Sequence, residues 1–217
     1  MPQPWTYRGG LFNVGSRVFG DRPEYCAAIG RVAIEWSHLE QVIATTFCYL
    51  VSSHDQDVLD LYSGLIDLKL RQMTFKALSK SKLSPDMIER GQSLFTQARK
   101  RSAERAKIVH GVWGEVVGEQ RYILLINQAD YLRRLGLMFR EPYRKEDGKF
   151  DNTQYPFLNL EAQSYTLRDI ENIHERIHKL VLEFVVYAED VLSQTNTKPL
   201  PFRREEDVVM KYPPVDE

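Results

Sequence analysis

Arg105 and His110 are the residues of this chain whose types and spacing point most directly to chemistry. They bound the run Arg105-Ala-Lys-Ile-Val-His110, which Gly111 follows. An arginine and a histidine suit phosphodiester chemistry, because the guanidinium stabilises charge on phosphorus and the imidazole moves a proton near neutral pH. Helical spacing alone does not unite them, since five residues turn a regular helix by about 140°. They converge only if the helix ends at His110 and the long arginine side chain reaches round it. With Met87, Gly91, Leu94, Ala98 and Val109 read as the buried stripe of that helix, Arg105 falls inside the stripe. A guanidinium on an apolar seam is costly unless an anion, a partner chain or a water-filled cleft meets it. The purely structural alternative is an arginine snorkelling from the seam edge and a histidine complementing the helix C-terminus.

A second constellation is His174-Glu175-Arg176-Ile177-His178, an H-E-x-x-H match on a helix. That spacing puts both imidazoles on one face, with Glu175 as the base for a zinc-bound water. A third ligand would have to be Glu189, Glu205 or another unmarked acid, and no His-x-x-Gly-x-x-His extension follows. Ile173 and Ile177 already account for the helix as core. A zinc-dependent hydrolase through His174, His178 and Glu175 therefore ranks third among the functional readings. Glu35-x-x-His38 resembles half of a carboxylate-bridged di-metal site and is read as an isolated half. No Walker loop, G-x-G-x-x-G or G-x-S-x-G is present. Gly9-Gly10 reads as a hinge, and Trp5, Trp36 and Trp113 read as packing anchors rather than base-stacking platforms, although Trp113, beside the candidate pair, could do either.

The elements that must position these residues follow from periodicity. A helix is expected from about 22 to 53, with Ile29, Val32, Ala33, Trp36, Leu39, Ile43, Phe47 and Leu50 at three-and-four spacing and Pro23 in its first turn. A second helical stretch should span 58–82, with Gly64 a point of interruption. A third starts at the cap Ser84 and first-turn Pro85 and runs to His110. Residues 112–117 and 121–126 read as a hairpin of two strands. The stretch from 127 to 164 is mixed, with LRRLGLMFR either a strand or a half-helix. Thr166, with Asp169 three residues on, opens the last long helix, whose stripe is Ile170, Ile173, Ile177, Leu180, Val181, Phe184, Tyr187, Ala188 and Val191. The expectation is a single, mainly α domain. It has a helical core over about 22–195, an insertion over about 111–165, and extended arms at 1–20 and 196–217.

The 217 residues carry 29 Lys+Arg against 30 Asp+Glu, and 43% are hydrophobic. That is globular material rather than disordered chain. No apolar run approaches membrane-spanning length, and no apolar segment follows a basic start, so neither a membrane partner nor a signal peptide is expected. Cys26 and Cys48 fall in one straight helix and cannot bridge, which points to a reduced, cytoplasmic protein. The net charge of -1 hides an asymmetry. Between Asp67 and Lys107 stand eleven Lys/Arg and four acids, a local +7 that leaves -8 elsewhere. Such a segment fits a polyanion as well as it fits a pair of solvated helix faces.

An arginine, four to six residues and then a histidine at a helix end resembles the HEPN superfamily of small helical proteins, many of them metal-independent endoribonucleases. Trp36-x-x-Leu39-Glu40, the run RAKIVHGVW from Arg105 to Trp113, the hairpin and the helix start Tyr165-Thr-Leu-Arg-Asp-Ile170 share the likeness, which covers about 22–195. The resemblance implies a four-to-five-helix HEPN-like bundle with a β-hairpin and loop insertion between the third and last long helices. It implies an RNA-acting protein of toxin or defence type, with no cofactor, paired as a homodimer and open to an antitoxin or regulatory protein. Arg105 would contact the scissile phosphate and His110 would assist attack by the ribose 2′-hydroxyl. Lys100, Arg101 and Lys107 would hold the RNA backbone. Two positions depart from the pattern: Ala106 stands where a polar residue is common, and Val112 where some members carry a modified tyrosine. A non-catalytic dimerisation or interaction module on the same scaffold is the alternative.

Overall fold

The computed structural model describes residues 1–6, 12–52, 56–138 and 160–195. It is mainly helical, with one small antiparallel sheet. In chain order the elements are β1 (Gln3–Thr6), β2 (Phe12–Val14), a 3-10 turn (Ser16–Phe19), α1 (Pro23–Val51), α2 (Gln56–Gly64), α3 (Leu68–Ser79), α4 (Pro85–His110), β3 (Val112–Val116), β4 (Ile123–Ile126), α5 (Gln128–Met138), β5 (Glu161–Tyr165) and α6 (Leu167–Thr195). None of the described helices is long and apolar enough to cross a membrane. Cys26 and Cys48 are both free thiols, the first exposed and the second buried.

The long helices form where local signals place them. Ser84 caps α4 by accepting from the Met87 amide, although the bond is long at 3.4 Å. Thr166 and Asp169 cap α6 reciprocally: the Thr166 amide donates to Asp169 Oδ2 at 3.0 Å and the Asp169 amide to Thr166 Oγ1 at 3.2 Å. Every residue of the expected α6 stripe, from Ile170 to Val191, is buried.

Several boundaries differ from the sequence expectation. The stretch expected over 58–82 runs from 56 to 79 as two helices, interrupted directly after Gly64, the expected point; Asp67 takes an extended conformation there and its side chain caps α3 by accepting from the Lys69 amide at 2.9 Å. Within the expected extended arm over 1–20, Gln3–Thr6 and Phe12–Val14 are the edge strands of a five-stranded sheet ordered β1-β5-β4-β3-β2. The predicted hairpin is the centre of that sheet, trimmed to 112–116 and 123–126, with Val112 opposite Ile126 and Trp113 opposite Leu125. Within the mixed stretch, LRRLGLMFR lies largely in helix α5, capped by the Asn127 side chain, and 161–165 forms strand β5. Residues 139–159 and the tail from 196 lie outside the described residues.

The chain divides into two compact units, Met1–Glu40 with Thr96–Glu183, and Gln41–Phe95 with Phe184–Glu217, the described part of the latter ending at Thr195. In the first unit, one face of the sheet carries an apolar cluster of Leu124, Ile126, Leu160 and Ala162, against which Trp5, Tyr131 and Leu135 pack. Trp113, 6% exposed, donates its indole N–H to the Ile108 carbonyl at 3.1 Å and meets Tyr165 edge-on, tying the sheet to the end of α4. Arg22 is buried at the sheet's turn, where its guanidinium donates to the Tyr122 and Glu119 carbonyls and pairs with Glu115 at 3.3 Å. The second unit is built on aromatic contacts of Phe75 with Phe95 and Tyr187, and of Phe95 with Phe184. Tyr187 also donates to the Met87 carbonyl at 2.9 Å.

Candidate functional site

The buried face of α4 runs Met87, Gly91, Leu94, Ala98 and then Ile108, not Val109, which is only half-buried. Between Ala98 and Ile108 the alternation of four and three residues falls on Arg101 and Arg105, both half-buried. Two arginines thus occupy helix positions where the pattern calls for apolar side chains. They solve the problem differently. Arg101 donates from Nη1 to both carboxylate oxygens of Glu104 at 2.9 Å. Arg105 has no carboxylate partner among the described residues; its Nε is buried without a hydrogen bond, and its Nη1 lies 3.3 Å from Nε2 of His110. The structure therefore unites the two residues that the motif singles out, although the wheel sets them about 140° apart. Arg105 reaches forward while α4 ends at His110.

Gly111 lets the helix end there. A Cβ at this position would meet the Lys107 carbonyl at 2.5 Å and collide with the Leu125 side chain. Only a residue without a side chain can pass between the end of α4 and strand β4, so the turn that exposes His110 depends on Gly111.

His110 opens onto a cleft of about 690 Å³. One wall is the last turn of α4, with Lys107 and His110. The other is formed by the β1–β5 edge and the β4–α5 junction, including Glu161 and Gln163. Lys107 and Gln163 also border a second cleft of about 370 Å³, into which Arg101, Glu104 and Arg176 open. Of the expected RNA-contacting residues, Lys100 and Lys107 are exposed and carry no ion pair among the described residues. Arg101 is held by Glu104, which also meets Arg176 at 3.4 Å. Tyr165, which lines the second cleft, has its hydroxyl pKa raised, by burial first and by the charges of Asp169 and Glu104 next.

The H-E-x-x-H residues are arranged differently from a hydrolytic zinc site. Glu175 pairs with Arg168 at 3.1 Å. The imidazoles turn instead to a carboxylate of α1: His178 Nδ1 lies 3.0 Å from Glu35 Oε1 and His174 Nε2 lies 3.8 Å from Oε2. His38 stands 3.9 Å from the same carboxylate, and the His174 and His178 rings stack 6.2 Å apart. Glu35-x-x-His38 is therefore not isolated, and α6 repeats its spacing in Glu171-x-x-His174 and Glu175-x-x-His178. That repeat is the sequence signal that could have revealed the cluster. Among the described residues, no group of three or more His, Cys, Asp or Glu is placed to hold a metal ion.

Compared with protein-family models, with curated proteins and with solved structures, the chain finds no match in any of the three.

Proposed function

We propose that this protein is a HEPN-like, metal-independent endoribonuclease in which Arg105 and His110 carry the reaction. The observation that supports the reading most is the state of Arg105: half-buried, with its Nε unsatisfied, unpaired with any acid among the described residues, and in contact with His110. An arginine held in this way for structure alone leaves a desolvation cost uncompensated, whereas a phosphate arriving at the guanidinium would offset it. The family's R-x4-H pattern supplies the reaction class.

In this reading the guanidinium moves from His110 onto the non-bridging oxygens of the scissile phosphate. The freed Nε2 takes the proton of the ribose 2′-hydroxyl as that oxygen attacks phosphorus. The P–O5′ bond breaks, a 2′,3′-cyclic phosphate forms, and the departing O5′ takes a proton from solvent. Lys100 and Lys107 steady the RNA backbone, and Arg101 joins them if it leaves Glu104. A homodimer would bring two such pairs to one cleft. A toxin or defence role in the cytoplasm, restrained by an antitoxin or regulatory protein, belongs to the same proposal.

The test is cleavage of total RNA in EDTA by the wild-type protein, Arg105→Ala and His110→Ala. The expected result is cleavage by the wild type alone. Equal cleavage by all three, or none by the wild type, overturns the proposal and leaves the scaffold as an interaction module.

A further inference from the structure

We infer that the cleft beside His110 is a nucleoside subsite that prefers guanine, read by Glu161 and Gln163 from strand β5. The inference rests on the ribonuclease reading for the origin of its ligand, but its own argument is one of hydrogen-bond pattern. In β5 the residues two apart share a face. The register sets Gln163 between Pro4 of β1 and Leu125 of β4, and Glu161 opposite Thr6. All five line the cleft that receives His110 and Lys107 from the opposite wall. The row through Gln163 is apolar on both sides, suited to the faces and edge of a planar ring. Glu161 and Gln163 are exposed within it and positioned to meet polar atoms.

The two polar groups differ in what they offer. The Glu161 carboxylate accepts only, and it has no partner among the described residues. The Gln163 carbonyl already accepts from the Tyr165 hydroxyl at 3.3 Å, which leaves its NH2 group to donate into the cleft. A carboxylate beside an amide donor complements one base edge best. Guanine presents two adjacent donors, N1–H and the exocyclic amine, next to the O6 acceptor. Adenine and cytosine instead place a ring-nitrogen lone pair toward the carboxylate, and uracil flanks its single N–H with two carbonyls. Reading of a Watson–Crick edge of this kind is how proteins specify unpaired RNA bases. The cleft's volume of about 690 Å³ suits a ligand of nucleotide size. With the base at β5, its phosphate falls toward Lys107 and His110.

The experiment is calorimetric titration of the full chain with guanosine, adenosine, cytidine and uridine 3′-monophosphates, repeated with Glu161→Gln and Gln163→Ala. The guanosine nucleotide should bind roughly tenfold or more tightly than the others, a discrimination typical of one bidentate pair. Glu161→Gln should abolish that preference while leaving the weaker ligands unchanged. Because Glu161 is exposed, its variant should keep the wild-type melting temperature, and Gln163→Ala provides a second, independent loss of preference. Equal affinities for all four nucleotides, no binding of any, or a preference that survives Glu161→Gln would overturn the inference. RNA cleavage without guanine preference removes the subsite and leaves the ribonuclease. Guanine preference without RNA cleavage does the reverse.

Discussion

The Arg105 guanidinium and Nε2 of His110 stand 3.3 Å apart at the C-terminal end of α4. A guanidinium can only donate, so Nε2 is the only side of this contact that can accept. The nitrogen that could act as a base is thus covered by the group that would bind an anion. In the proposed reaction, drawing Arg105 away onto a phosphate would uncover it and so couple binding of the charge to availability of the base.

The same contact predicts opposite effects of one substitution on stability and activity. Arg105→Leu removes a half-buried guanidinium with an unsatisfied Nε and puts an apolar side chain one turn before Ile108 in the buried stripe of α4. Stability should rise by about 1 kcal/mol, a melting temperature higher by roughly 2–4 °C, while RNA cleavage falls at least about a hundredfold. Thermal denaturation and a cleavage assay on one preparation check both. A lower melting temperature would mean that the arginine anchors the fold.

Lys100 and Lys107 should act through charge alone. They are exposed and two turns apart on α4. Replacing either by alanine should reduce the slope of log K against log salt for single-stranded RNA by about 0.7. Arg101→Ala should change it less, because Glu104 already holds that guanidinium. Binding measured across a salt series separates the three.

Two glycines should respond in opposite directions. Gly111→Ala drives a methyl group into Leu125 and the Lys107 carbonyl, and should cost about 1–3 kcal/mol and displace His110. Gly30, inside α1, has open space where a methyl group would stand, so Gly30→Ala should gain about 0.5–1 kcal/mol from helix propensity. Denaturant unfolding of the two variants measures both signs.

The cap of α6 should show itself in acid. Burial pushes the Asp169 carboxyl upward, but hydrogen bonds from the terminal ammonium of Met1 and from Thr166 outweigh it and hold the pKa below the usual carboxylate value. A carboxyl whose folded pKa is lowered contributes stability that is complete above its unfolded value and is lost as pH falls through the folded one. The loss should therefore lie below about pH 4. Asp169→Ala should cost about 1 kcal/mol at neutral pH and flatten that acid limb. Unfolding free energy measured from pH 7 to pH 2 tests it.

The helices are legible in the sequence because their determinants are local. Pro23, Ser84-Pro85 and Thr166 with Asp169 mark starts within one turn of chain, and the three-and-four spacing of α6 matches its buried face residue for residue. The break before α3 is also local: Gly64 marks the interruption in the sequence, and the extended capping Asp67 fixes where the next helix starts. The R-x4-H pair is visible as a motif. Its contact is not, because it depends on where α4 stops and which way a long side chain turns.

What the residues alone determined is therefore the helical class, most helix boundaries and the candidate pair Arg105 and His110. Only the tertiary structure decided the rest. Strand β1 is four residues with a proline, too short to declare itself, and becomes a strand by pairing with β5 some 160 positions away. Glu35 meets His178 across 143 residues of sequence, which sets an imidazole of the H-E-x-x-H motif beside a carboxylate of α1. Gly91 reads as a small stripe residue, yet it is the Tyr187 hydroxyl, 2.5 Å from where its Cβ would stand, that requires it. Periodicity and capping act over one or two turns and are written in adjacent residues. Strand partners, shared carboxylates and close approaches depend on segments that only folding brings together.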